Sequence, residues 1–331
     1  MKKLIIPSII LLVVFCACSK IDPNAHECEI ATWKDFSKSA VTYTFDDDLR
    51  NQFSVALPLF DKYGYKATFY TNIDKIDNWQ TLAQCSENGH EIGSHTVNHW
   101  ALSGLSTDDL DEELRVSKET LENNTEYSSC LTLAYPYCDM PDTNYVSKYY
   151  LAARICDCRI ESATPRSFYS ISSFGVGRES SDFKYAAPII NLFDKNRLVG
   201  GWCVLLIHEV DEGDGYSPIS SAAIDSTLQY ANDNEADFWV APFVDVVKYI
   251  KERDLTSVIL ADMDETSITL SFSNLLDCVY DYPISVKRPL PSGWDNVVVM
   301  QNRDVCNSYV SDGYVYFDVV PNKGEVLISK E

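Results

Sequence analysis

An α/β domain of repeated strand–helix units, followed by a small all-β module, is the fold that this sequence predicts. Two observations carry the prediction. From about residue 40 to 255, short apolar runs alternate with amphipathic stretches of helical period, the pattern of a parallel sheet covered by helices. Beyond Thr256 helical periodicity ceases, and short β-prone runs separated by Pro, Gly, Asn and Asp take over. The length of 331 residues accommodates both parts.

The elements follow in order. Lys2 and Lys3 precede an apolar run over 4–15, interrupted by Pro7 and Ser8, which is short for a bilayer span and fits a signal-peptide core. It ends in Phe15-Cys16-Ala17-Cys18-Ser19, which resembles the lipobox of bacterial lipoproteins. That resemblance implies a signal peptide over 1–17, lipidation of Cys18, and an exported bacterial lipoprotein held to a membrane surface. Plain secretion is the alternative. Residues 18–36 then read as a tether. Strands are expected at 41–45, 67–70, 91–94, 131–134, 152–155, 202–207 and 237–240. Helices are expected at 51–63, 78–88, 106–123, 144–150, 183–195, 221–232 and 242–253, with 160–180 as loop. Parallel strands in this alternation form either an open sheet or a closed barrel. In the module, residues 257–331, strands are expected at 267–272, 284–287, 296–300, 314–319 and 325–328, giving a sandwich.

The formal charge is −22 and no basic patch is visible, so nucleic acid is excluded as a partner. An acidic surface repels anionic polymers and favours neutral or cationic ones. Eleven cysteines include Cys16 and Cys18, and the odd number left over requires at least one thiol that is free or paired between molecules.

Three features close expected strands, where α/β proteins place their sites. Thr44-Phe45-Asp46-Asp47-Asp48 ends the first, Ser94-His95-Thr96-Val97-Asn98-His99 ends the third, and Leu205-Leu206-Ile207-His208 ends the most apolar one. Histidines four apart on a helical turn can reach one metal ion. Singly, each feature is also explained by a solvated turn, a surface pair or a structural histidine. Together, two His and one Asp form a facial ligand set, with a second Asp available as base and a separate His as acid.

The order TFDD, SHTVNH, PY and LLIH resembles the NodB-type polysaccharide deacetylases, carbohydrate esterase family four, over residues 40–250. The resemblance implies a distorted (β/α)7 barrel over 37–256 and a hydrolase that removes N- or O-linked acetyl groups from a poly- or oligosaccharide. Asp46 would be the base, and Asp47, His95 and His99 would hold one divalent ion, Zn2+ or a similar transition metal. His208 would be the acid, and the Tyr137 backbone N–H an oxyanion donor. Substrates of relatives include N-acetylglucosamine polymers, peptidoglycan and acetylated xylan. Trp100 and Trp202 are candidate substrate contacts, with core packing as their alternative.

The chain also departs from the family pattern. Asp48 and Cys138 stand where glycines are usual, and Ala134 replaces the arginine that orients the base. Arg154 could supply a guanidinium from the next strand, although a structural ion pair explains it equally well. These departures leave room for a second reading, a non-catalytic glycan-binding lipoprotein on a decayed deacetylase scaffold.

Overall fold

The computed structural model describes residues 28–125 and 129–331. The expected signal peptide, Cys18 and the tether up to residue 27 lie outside the described residues.

The chain does not run free up to residue 36. Strand β1 (Glu29–Ile30) is already paired, and Ala31 and Trp33 are buried behind it. Trp33 donates its indole N–H to Gly200 O at 3.1 Å, and Tyr249 Oη donates to Ala31 O at 2.8 Å. Residues 29–36, expected within the tether, are instead packed on the fold, because Ile30, Ala31 and Trp33 carry apolar surface that gains from burial.

Strand β2 (Ser39–Asp46) is buried along its whole length. Its period of two sends Val41, Tyr43 and Phe45 to the core beneath the helices, and places Ala40, Thr42, Thr44 and Asp46 on the other face. It is followed by β3 (Thr68–Thr71), β4 (Glu91–Ser94), β5 (Thr132–Ala134), β6 (Ala152–Arg154), β7 (Phe174–Gly175), β8 (Trp202–Ile207) and β9 (Phe238–Val240). All pair in parallel, in the order β6-β5-β4-β3-β2-β8-β7, and β9 joins the first half of β2.

The segment expected as loop over 160–180 completes the ring. Ala153 N donates to Phe168 O and Ile155 N to Ile171 O, both at 2.8 Å, and a few residues on Phe174 pairs with Leu205. These seven strands plus β9 make the curled, distorted barrel that was expected. The run was illegible as strand because its pairing residues are interrupted by serines rather than by a β-branched alternation.

Helices α1 (Leu57–Tyr63), α2 (Trp79–Glu87), α3 (Thr107–Asn124), α4 (Thr143–Val146), α5 (Ala186–Val199), α6 (Ser221–Asp233) and α7 (Phe243–Leu255) join the strands. Asn78, Ser106 and Ser220 cap their helices with side-chain oxygens. The helix expected over 51–63 opens instead with a π-helical turn, Gln52–Ala56. Pro58, just beyond it, has no N–H to give to a regular turn.

The remaining strands are β10 (Ser257–Met263), β11 (Ser267–Ser273), β12 (Ile284–Pro289), β13 (Val297–Gln301), β14 (Asp304–Val305), β15 (Ser308–Ser311), β16 (Tyr314–Val319) and β17 (Val326–Lys330). They form two antiparallel sheets, β1-β12-β16-β15 and β10-β11-β17-β13-β14. Alternate residues Ile268, Leu270 and Phe272 of one sheet meet Val286, Val315 and Phe317 of the other in a shared core. The first sheet includes β1, with Glu29 opposite Lys287 and Ile30 opposite Val286.

Candidate active site

The barrel interior changes character from bottom to top. At the bottom, Trp202 is fully buried, donates to Thr42 Oγ1 at 3.0 Å and packs on Phe243 at 4.9 Å. Six residues of strand, roughly 20 Å at 3.3 Å per residue, separate it from His208. The expectation that Trp202 touches substrate is therefore corrected: it is an interior core residue, placed by strand parity. Glu91 also lies low, its carboxylate accepting from Thr68 Oγ1 and Val244 N at 2.8 Å each and from Thr132 Oγ1. Burial pushes its pKa up.

At the top, Asp46 ends β2. Arg154, from the end of β6, donates from Nη2 to Asp46 Oδ2 at 2.5 Å and from Nη1 to Ser173 Oγ at 3.1 Å. Asp46 and Arg154 are almost wholly buried. Burial alone would raise the Asp46 pKa, but Arg154, with His95 and His208, outweighs it and holds the carboxyl below its ordinary value. Arg154 is the register partner of Ala134, so its guanidinium arrives from one strand over. It is also stacked over the Tyr70 ring at 5.3 Å. Gly93 makes room here, since a Cβ on it would lie 2.5 Å from that ring.

His95 Nδ1 donates to Ala134 O at 2.7 Å, which fixes its tautomer and leaves Nε2 as a lone pair. That Nε2 lies 3.2 Å from His99 Nε2, and His99 Nε2 lies 3.4 Å from Asp47 Oδ1. The donor atoms of Asp47, His95 and His99 all fall within 4.8 Å of one another. Three electron-rich atoms converging on one point fit a divalent cation, and the N/O donor set suits Zn2+ or another transition metal.

The histidines do not meet on a helical turn, as their spacing suggested. They meet in a loop in which Thr96 (φ 69°) and His99 (φ 56°) are left-handed. The buried Glu113 of α3 pins this loop, accepting from Val97 N at 2.9 Å and Asn98 N at 3.0 Å. Burial depresses the pKa of His95, His99 and His208, keeping the imidazoles neutral.

Asp48 and Cys138, which the resemblance sets where glycines are usual, adopt φ of 55° and 58°. Both thus hold conformations that glycine takes without strain and that cost other residues about 1 kcal/mol or more. Cys138 is restrained by a disulfide to Cys156, which joins the loop carrying Tyr137 to the end of the strand carrying Arg154.

Two contributors were not foreseen. Gln52 is fully buried and donates from Nε2 to both Asp46 O (2.5 Å) and His208 O (2.8 Å), tying two strand ends together. A polar residue at helical spacing from Ala56 and Phe60, on the apolar face, was its signal. Tyr216 stands edge-on to His208, with ring centroids 5.1 Å apart, as Tyr137 does to His99 at 4.7 Å. Trp100 is about half exposed beside His99.

The chain is also similar to known proteins. Residues 34–151 match the model of the polysaccharide deacetylase family. The chain is 28% identical to a gellan lyase of Bacillus sp. over 92% of its own length, which is 13% of that protein. It is 30% identical to YxkH of Bacillus subtilis, a candidate polysaccharide deacetylase, over 30% of this chain and 37% of that one. The chain thus spans well under half the length of these curated relatives. Its fold superposes on a candidate polysaccharide deacetylase from Mycobacterium smegmatis with a TM-score of 0.53 and 18% identity, covering 71% of this chain and 98% of the other.

Proposed function

We propose that the chain is a metal-dependent hydrolase that removes acetyl groups from a poly- or oligosaccharide, a reading supported by the match of residues 34–151 to the polysaccharide deacetylase family. The observation that carries this reading is the convergence at the barrel mouth of a buried, Arg-paired Asp46 with the donor set Asp47, His95 and His99.

A divalent ion held by those three residues would supply Lewis acidity and lower the pKa of a nearby water. Asp46 takes the proton of the attacking water. Its Oδ2 is engaged by Arg154, and among the described residues Oδ1 is buried without a hydrogen-bond partner, facing the reaction as a free acceptor. As the new O–C bond forms, the Tyr137 backbone N–H stabilises the charge that develops on the acetyl oxygen, a contribution of several kcal/mol in such sites. His208 is neutral at rest because burial outweighs the pull of Asp46 and Asp47. Negative charge growing beside it favours the imidazolium: His208 takes up the proton that Asp46 removed from the water and gives it to the departing amine or alcohol as the acetyl C–N or C–O bond breaks, which returns both residues to their starting states. Acetate and the free sugar group are the products.

The guanidinium on Asp46 favours this reading over a non-catalytic glycan binder, since binding alone has no use for a charged, oriented base. Trp100, about half exposed next to His99, would contact substrate in this reading. We further propose that the chain is exported and anchored to a bacterial membrane through a lipid on Cys18. Among the described residues no helix is long and apolar enough to cross a membrane. Cys18→Ala should move the protein from the membrane to the soluble fraction.

The deciding experiment is acetate release from acetylated glycans by the soluble chain from residue 19. It is run with Zn2+, with chelator, and with His95→Ala. Release that requires both the metal and His95 is expected, whereas release insensitive to chelator would overturn the mechanism.

A further inference from the structure

Tyr216 belongs to none of the motifs above, yet the fold brings it to the reaction centre and holds it there. It lies in the loop that follows His208. That loop closes on itself: Val210 bridges to Ile219, Ile219 N donates to Glu209 O at 3.0 Å, and Glu209 N donates to Tyr216 O at 3.3 Å. The nearly buried Glu209 carboxylate sits inside the turn. Oε1 accepts from Val210 N at 2.9 Å and Oε2 from Gly215 N at 3.1 Å. Gly213 and Gly215 leave it the space, for a Cβ on the first would fall 2.2 Å from Glu209 Oε2 and one on the second 2.3 Å from Leu49 Cδ1. Asn51 ties the loop to the barrel through Val210 O at 2.9 Å.

A loop bonded this way does not let its aromatic fold down onto the core. Tyr216 keeps 62% of its surface in water while its ring meets His208 edge-on. Tyr137, 72% exposed, stands in the same manner against His99. The two tyrosines follow β8 and β5, which are separated by β4, β3 and β2 one way round the ring and by β6 and β7 the other way. They therefore flank the reaction centre from opposite sides of the mouth.

We propose that Tyr216 is a substrate-binding and specificity-determining residue, its ring forming the wall opposite Tyr137 on which a pyranose unit of the glycan stacks. The inference rests on the deacetylase reading for the identity of the ligand as a sugar. The apolar face of a pyranose, with its axial C–H groups, matches the face of an aromatic ring.

The test measures affinity for two probes, N-acetylchitopentaose and acetylated xylopentaose. Calorimetry is done in an Asp46→Asn background, so that bound glycan is not consumed, and KM is measured in the otherwise unaltered chain. For the better-bound probe, Tyr216→Ala is expected to weaken binding and raise KM by about tenfold, with kcat within about threefold. Tyr216→Phe should restore the affinity, and Tyr309→Ala, at an exposed tyrosine on the sandwich, should leave it unchanged. Equal affinity in Tyr216→Ala, an equal loss in Tyr216→Phe, or no binding of either glycan by the Asp46→Asn parent would overturn the proposal. Binding without acetate release would sink the deacetylase reading while still deciding the role of Tyr216.

Discussion

The relocated guanidinium makes the sharpest prediction. Arg154→Met removes the charge and keeps much of the side-chain volume. The pair it breaks has an N–O distance of 2.5 Å between side chains that are 1% and 4% exposed. At an effective dielectric near 20 the direct attraction of such a pair is about 7 kcal/mol. Removing one partner leaves a buried carboxylate uncompensated, which costs about 3–5 kcal/mol of stability. The single variant should therefore lose about that much in urea unfolding at neutral pH. Because Asp46 also loses the group that orients it, kcat should fall by about a hundredfold. Asp46→Asn combined with Arg154→Met should be several kcal/mol more stable than the two single changes predict by addition. Since Ala134 is the register partner of Arg154, Ala134→Arg together with Arg154→Ala should return part of the activity. Zinc affinity, read by competition with a chelating dye, should stay near that of the unaltered chain, because the hydrogen bonds of Arg154 go to Asp46 and Ser173 and not to Asp47, His95 or His99. If Arg154→Met turned over normally, or if the stabilities simply added, the guanidinium would not be the partner of the base.

Two further outcomes follow from other parts of the structure. Replacing both Cys138 and Cys156 by Ser should cost about 3 kcal/mol, the value for closing a loop of 18 residues, and reduction of the unaltered chain should cost the same; unfolding curves with and without reductant check it. Asp245 has its pKa raised to about 7, by burial first and by Glu91 next. Between about pH 4 and 7 the folded chain keeps a proton there that the unfolded chain has released, so this group lowers stability progressively as pH rises through that window. Asp245→Asn should flatten the decline and gain about 1–2 kcal/mol at pH 8, measured by unfolding across that range.

Much of the reaction centre was legible because its residues end strands whose apolar runs are unmistakable. Asp46, Asp47 and His208 could be placed by the strands that precede them. Arg154 was suggested by the absence of a charge at Ala134, and the neighbouring strand brings it to Asp46. Tertiary placement was not legible. Trp202 and His208 share one strand, and only the depth of the barrel tells a core tryptophan from a site residue. The histidine pair meets through left-handed loop residues, a geometry that i, i+4 spacing does not encode. Gln52 and Tyr216 act from a π-turn and a loop, whose positions depend on partners distant in the chain. The edge strand β1 is two residues long, too short to leave a periodic signature.

That short strand has an architectural consequence. The sandwich is discontinuous in sequence: its first contribution comes before the barrel and the rest after it. The barrel is thus an insertion within its neighbour. Any tether leading up to residue 28 would leave from the sandwich, so that a pull on the chain there loads a short β pairing before it reaches the catalytic strands. Cutting the chain after α7 would strand Ile30 and Ala31 without their sheet, since both pair with β12.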